Sequence, residues 1–148
     1  MSEQKKISTI KTHFAGWNNK NIDLITVDLA DDFVLESDTI PAPIAGILGM
    51  REYARVYFAA FPDLRFQITD IFAAEDRVTA CWTATGTQRG PFLGMPPSER
   101  TATVHGCNVV QFRRGEVIRI TSYWDRETLA RHLGAVSGEQ LQGQTVRG

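Results

Sequence analysis

The chain has 148 residues and a mass of 16.5 kDa, the size of one domain and enough to bury a core without staples. The hydrophobic share of 43% and the charged share of 22% are those of an ordinary globular protein. Sixteen basic against 17 acidic residues leave a formal net charge of -1, which excludes the basic footprint of a nucleic-acid binder and the polybasic cluster of a membrane-surface protein.

The first segment reads as a helix, because Ile7, Ile10, Phe14 and Trp17 recur at helical spacing on one face. Asn18-Asn19-Lys20-Asn21 breaks it, and Asn21 is positioned to cap a second helix carrying Ile22, Ile25 and Leu29, with Leu24 and Ile25 turned inward. Asp32 to Ser37 reads as a short strand, and Thr39 to Gly49, rich in proline and glycine, as a loop. Met50 to Phe61 predicts a third helix that stops at Pro62-Asp63. From Phe66 the period changes to two. Phe66, Ile68 and Asp70 alternate with Gln67, Thr69 and Ile71 in one strand, and Ala74-Glu75-Asp76 turns into a long strand over Arg77 to Gln88. Gly90 to Ser98 is a connecting loop. Thr101 to Phe112 and Val117 to Trp124 are strands joined by a hairpin turn at Arg113-Arg114-Gly115-Glu116. Asp125 to Leu133 is a short helix stopped by Gly134. Residues 1–134 thus make one domain, and Ala135 to Gly148, rich in Gly, Gln and Ser, is expected to be a flexible tail. Helices followed by a run of antiparallel strands predict an α+β fold with helices on one face of a curved sheet.

Strand parity separates two faces. Val78, Ala80, Trp82, Ala84, Gly86 and Gln88 share one face with Ala102, Val104, Gly106, Asn108, Val110, Phe112, Ile118, Ile120, Ser122 and Trp124. This apolar face should pack on the helices. Its small residues leave room, and Asn108, Ser122 and Gln88 interrupt it, as in the wall of a small-molecule pocket. The alternative is an ordinary core with satisfied polar groups. The other face carries threonines, His105, Cys107, Val109, Gln111, Arg119, Thr121 and Tyr123. Its mixed character fits a subunit interface, or else a solvated face.

Other chemistries leave no mark. No apolar run reaches the length of a spanning helix, and the polar start Met1 to Lys6 is not followed by a signal-type apolar region, so a cytoplasmic location is expected. Cys81 and Cys107 each lie in a strand-like stretch and read as reduced, buried thiols. The three histidines, His13, His105 and His132, are scattered. No Cys/His cluster has zinc spacing, and neither GxxxxGK nor GxGxxG occurs.

The loop Gly86 to Ser98, with Gly90-Pro91-Phe92-Leu93-Gly94-Met95-Pro96-Pro97 at its centre, and the terminal Trp124 to Gly134 are similar to the signatures of the SnoaL-like polyketide cyclases of the nuclear transport factor 2-like superfamily. The element order matches over roughly residues 5–134. The resemblance implies a cone-shaped α+β barrel with a deep apolar pocket, a homodimer through the sheet, and no metal or cofactor. It further implies aldol ring closure by an aspartate near the end of the last strand, helped by Gln and His two residues apart on the preceding strand and by a His in a GxHxG motif. Carried over residue by residue, Ser122 stands at the aspartate position, Gly106 at the Gln, Asn108 at the His, and Gln88 at the GxHxG histidine. Asp125 matches a second family aspartate at the helix start.

None of Ser122, Asn108 and Gln88 is a base at neutral pH, but each can polarise a carbonyl or hold an enolate. Asp125 is either a helix N-cap, a catalytic carboxylate, or both. Trp17, Trp82 and Trp124 are either an aromatic clamp or bulk core. Tyr53 and Tyr57, four apart, either face the pocket or pack the core. His105 has outer-face parity, and Glu36 and Asp38 should be solvated. The expected function is a cofactor-free cyclase or isomerase acting on a hydrophobic, polyketide-like or steroid-like carbonyl compound. Asp125 and Ser122 would be catalytic, and Asn108, Gln88, Trp82, Trp124, Tyr57, Phe33 and Trp17 would bind substrate. The alternatives are a non-catalytic binding module with the same pocket and a dimeric interaction domain.

Overall fold

The computed structural model describes residues 1–134, so the expected C-terminal tail lies outside the described residues. The elements run α1 (Glu3–Asn18), α2 (Ile22–Thr26), β1 (Leu29–Glu36), β2 (Ile44–Ala45), α3 (Gly46–Ala60), β3 (Arg65–Ala74), β4 (Arg77–Thr87), β5 (Thr101–Arg113), β6 (Glu116–Trp124) and α4 (Arg126–His132). Ser2 caps α1 by accepting from the Lys5 amide, and Asn21 caps α2 by accepting from Leu24. The second helix ends at Thr26, before the expected Leu29. Leu29 instead opens β1, and the segment expected as a loop holds β2 and the first turn of α3.

Six strands form one mixed sheet in the order β2-β1-β6-β5-β4-β3. Every pairing is antiparallel except β1 with β6. The outermost strands β2 and β3 do not meet, so the sheet is open, and α1 packs on β3 while α3 packs on β1. This is the expected α+β cone, with helices covering one face of the sheet. No helix among the described residues is long and apolar enough to cross a membrane.

The inner face carries the core. Val78, Ala80, Trp82, Ala84, Ala102, Val104, Val110, Phe112 and Ile120 are buried there with Ile10, Phe14 and Trp17 of α1 and Met50 and Ala54 of α3. Two bulges break the strict alternation. The β3–β4 register slips between Ile68 and Asp70, so Ile71 and Ala73 join the core rather than Asp70. The β5–β6 register slips beside Phe112, which turns Val117 inward in place of Ile118. The predicted hairpin turn forms with Arg114 and Gly115 both at positive φ, 52° and 82°, the conformation a two-residue turn needs.

On the outer face, cross-strand hydrogen bonds link Thr83 to His105 (3.0 Å), Thr85 to Thr103 (3.4 Å) and Thr87 to Thr101 (3.0 Å). His105 is exposed there, as its parity predicts. Cys81 and Cys107 are also on this face. They are free, half-exposed and directly opposite one another, not buried in the core as expected. Each follows the threonine parity of its strand, which points away from the helices.

Candidate functional site

A cavity of about 80 Å³ lies between α1, α3 and the inner face of the sheet. A water needs ~10–15 Å³ of such space, so the cavity holds one small ring, and a larger ligand would extend through its open side. Trp17, Tyr53 and Tyr57 line it from the helices; Trp82, Asn108, Ser122 and Trp124 line it from the sheet. The tryptophans do not stack as parallel plates. Trp17 meets Tyr53, Tyr57, Phe58 and Phe66 edge-on, and Trp82 meets Phe66 the same way.

Asn108 is the most constrained polar group on the wall. Its Oδ1 accepts from the Trp82 indole N–H at 3.1 Å and from the Ser122 hydroxyl at 2.8 Å. An indole nitrogen can only donate, so this end of the amide must be the oxygen. Nδ2 meets no acceptor among the described residues. The amide NH₂ is therefore the part of this lining side chain left to donate to a ligand, its orientation fixed by the two bonds to Oδ1.

The helix side contributes His13, Tyr53 and Tyr57. His13 Nδ1 donates to the Ile25 carbonyl at 3.0 Å, and Nε2 accepts from the Trp17 indole N–H at 3.2 Å. Since Trp17 only donates, the proton sits on Nδ1. Burial lowers the pKa of His13 from 6.5 to about 4, against the opposing pull of the Ile25 carbonyl, so the ring is neutral. The Tyr53 hydroxyl donates to that of Tyr57 at 3.4 Å. Burial pushes both phenols up, and the neighbouring Tyr53 raises Tyr57 further. Tyr57 thus keeps its proton for another acceptor. The described lining contains no carboxylate.

Three expected site residues lie elsewhere. Asp125 is exposed at the start of α4, where it accepts from the Glu127 amide at 3.0 Å and the Thr128 hydroxyl at 2.8 Å. The Thr128 bond is the main cause that holds its carboxyl below the usual range. It caps the helix, outside the cavity lining. Phe33 is fully buried in the core and is not part of the cavity lining. Gln88 is fully buried but turned into the loop that follows β4. Its Nε2 lies 3.1, 3.3 and 3.2 Å from the carbonyls of Gly90, Met95 and Pro96, and its Oε1 accepts from Ser98 at 3.2 Å. Those bonds commit both amide protons to the loop, and burial outside the cavity lining keeps the rest of the side chain from a ligand.

Sequence reasoning missed His13 as a lining group. A signal existed: His13 lies on the α1 face of Ile10, Phe14 and Trp17, four residues before a tryptophan whose N–H needs an acceptor.

The family model described as SnoaL-like polyketide cyclase matches residues 8–146. Among solved structures, the chain is similar to AclR of Streptomyces galilaeus, named as a proposed hydroxylase, with 25% identity, a TM-score of 0.82, and coverage of 92% of this chain and 100% of that one. A proposed SnoaL-like polyketide cyclase of Jannaschia sp. CCS1 shares 23% identity at a TM-score of 0.83, covering 91% and 95% of the two chains. A protein of Catenulispora acidiphila DSM 44928 with a ketosteroid isomerase-like fold, solved with trimethylamine, shares 18% identity at a TM-score of 0.73, covering 85% and 92%. No curated protein matches the sequence.

Proposed function

We propose that this chain, which belongs to the SnoaL-like polyketide cyclase family, seats a hydrophobic carbonyl compound in its apolar cavity and promotes cyclisation or isomerisation through the enol. The observation that supports this reading is the Asn108 amide. Asn108 lines the cavity, both acceptor sites of its oxygen are filled by Trp82 and Ser122, and its NH₂ has no partner among the described residues. A donor fixed before the ligand arrives, in an apolar surrounding, stabilises negative charge on a carbonyl oxygen more than water does. The Tyr57 hydroxyl is a second donor. The aromatic walls hold the carbon skeleton and exclude water, which contributes orientation.

The wall is short of strong bases. His13 is neutral with both ring nitrogens engaged. Substrates suited to such a site carry an α-hydrogen that is already acidic, as between two carbonyl groups. The same shortage favours a second reading, a binding module that holds the carbonyl compound without turning it over. A second copy of the chain is proposed to cover the outer face of the sheet, where Phe72 and Tyr123 are exposed; light scattering that finds a monomer at micromolar concentration would remove that part.

The test is α-proton exchange into D₂O for cyclic ketones and β-keto esters, followed by NMR. Asn108→Leu should lose ~10²-fold of the catalysed exchange, the effect of removing one oxyanion donor. Asp125→Asn should leave it unchanged. Binding without exchange in the wild type selects the module. Exchange that is indifferent to Asn108→Leu refutes the site.

A further inference from the structure

We propose that Gly106 is a positioning residue: its missing side chain lets the Trp82 indole lie across β5 and pin the Asn108 amide with its NH₂ toward the cavity, which makes the site select hydrogen-bond acceptors. The inference rests on the reading of Asn108 as the ligand's donor and deepens it. Gly106 is the register partner of Trp82 across β4 and β5. A Cβ at this glycine would lie 2.3 Å from Cζ2, 2.4 Å from Cη2 and 2.8 Å from Cε2 of the indole. No carbon tolerates such approaches, so the six-membered ring occupies the place a side chain would take.

The consequence falls on Asn108, the diagonal neighbour two residues further along β5. Diagonal side chains in a sheet are ~7–8 Å apart, within reach of an aromatic only if it leans across. The space over Gly106 allows that lean, and the indole N–H reaches Asn108 Oδ1 at 3.1 Å. Ser122 cannot fix the amide by itself. Its hydroxyl donates to Oδ1 in the present arrangement, but a hydroxyl can equally accept from an NH₂. Only the indole, a pure donor, forbids the flipped amide. Any side chain at position 106 pushes the ring off the diagonal, releases the amide and lowers the preference for an acceptor to what the Tyr57 hydroxyl alone supports.

The experiment uses the full chain in three variants, Gly106→Ala, Trp82→Phe and the double variant. The first readout needs no ligand: the ¹⁵N–¹H resonances of the Trp82 indole and the Asn108 amide. Gly106→Ala should move both. If both stay in place, the proposal is refuted. The second readout is the ratio of affinities for cyclohexanone and methylenecyclohexane, which match in shape but differ in the acceptor oxygen. The wild type should favour the ketone about tenfold, one hydrogen bond's worth. Either single variant should lower this severalfold, to what the Tyr57 hydroxyl alone supports, and the double variant should be no worse than either, because both changes break the same contact. Effects that multiply in the double variant overturn the proposal.

Failure of the underlying reading looks different. If the wild type shows no preference for the ketone, Asn108 is not the ligand's donor, while the movement of the indole resonance still decides the link from Gly106 to Trp82. If Gly106→Ala does not fold, the double variant should fold, since the shorter phenyl ring clears position 106. Failure of both to fold refutes the link.

Discussion

Truncating Gln88 to alanine should weaken the fold, not the ligand site. The side chain is fully buried, and its amide holds together the loop between β4 and β5. Nε2 has two protons shared among three carbonyls, and Oε1 takes one amide proton from Ser98. About three hydrogen bonds are therefore lost, at ~1 kcal/mol each. The vacated space adds ~1–2 kcal/mol, so the loss is about 4 kcal/mol. With a urea slope of about 2 kcal/mol per molar, the unfolding midpoint should fall by about 2 M. Gln88→Glu sharpens the test. Its carboxylate would face three carbonyl oxygens, so its pKa should rise in the folded state. A carboxyl whose folded pKa is raised loses stability as pH rises through the unfolded value of ~4.3 toward neutrality, so this variant should be most stable in acid relative to wild type. A midpoint shift below about 0.5 M for Gln88→Ala, accompanied by a loss of ligand affinity, would refute the reasoning and return Gln88 to the binding site.

Three further outcomes are expected. The unfolded chain takes up the His13 proton near 6.5 and the folded chain only near 4, so this stability is full above pH 6.5 and is lost progressively as pH falls to about 4; the interval is worth roughly 3 kcal/mol, and wild type should lose more of its urea midpoint between pH 7 and pH 5 than His13→Gln does. Asp125→Ala removes the cap of α4 and should cost ~1 kcal/mol in thermal or urea unfolding, while Asp125→Asn, which keeps the acceptor, should cost much less. Cys81 and Cys107, opposite one another on β4 and β5, should be joined by diamide, which takes up the two thiol hydrogens; mass spectrometry should find a product lighter by two hydrogens in wild type and not in Cys81→Ser.

The fold was legible because its signals are periodic and local. Helical spacing exposed the buried stripe of α1, and the threonine alternation of β4 exposed its two faces. What escaped was whatever depends on a single residue out of register. The extra residue at Thr69 moves Ile71 inward, and the slip beside Phe112 exchanges Val117 for Ile118; an alternation count cannot contain either. The site was half legible for the same reason. Asn108, Ser122, Trp82 and Trp124 follow strand parity into the cavity wall, and Trp17 and Tyr57 follow helical spacing. Gln88 has the correct parity too, but it sits where the strand gives way to a loop, whose carbonyls claim its amide. Cys81 and Cys107 differ from expectation because cysteine as a residue type favours burial, whereas their strand parity places them on the outer face. Asn108 could be placed in the wall from the sequence. The direction of its amide could not, because a donor on the neighbouring strand decides it.

The parallel pairing of β1 with β6 has a consequence for how the chain is made. The ion pair that joins these strands, Glu36 with Arg119, links residues 83 positions apart. On the ribosome, β1 emerges with its helices but without its central partner, and the long antiparallel meander must be synthesised before that partner exists. The strand that completes the sheet is the last of its six to appear. Such non-local closure carries a large loop entropy and slows folding toward the millisecond-to-second range. Until then the inner edge of β1 stays open to pairing with other chains, so the interval between the two strands is when this protein is exposed to misassembly.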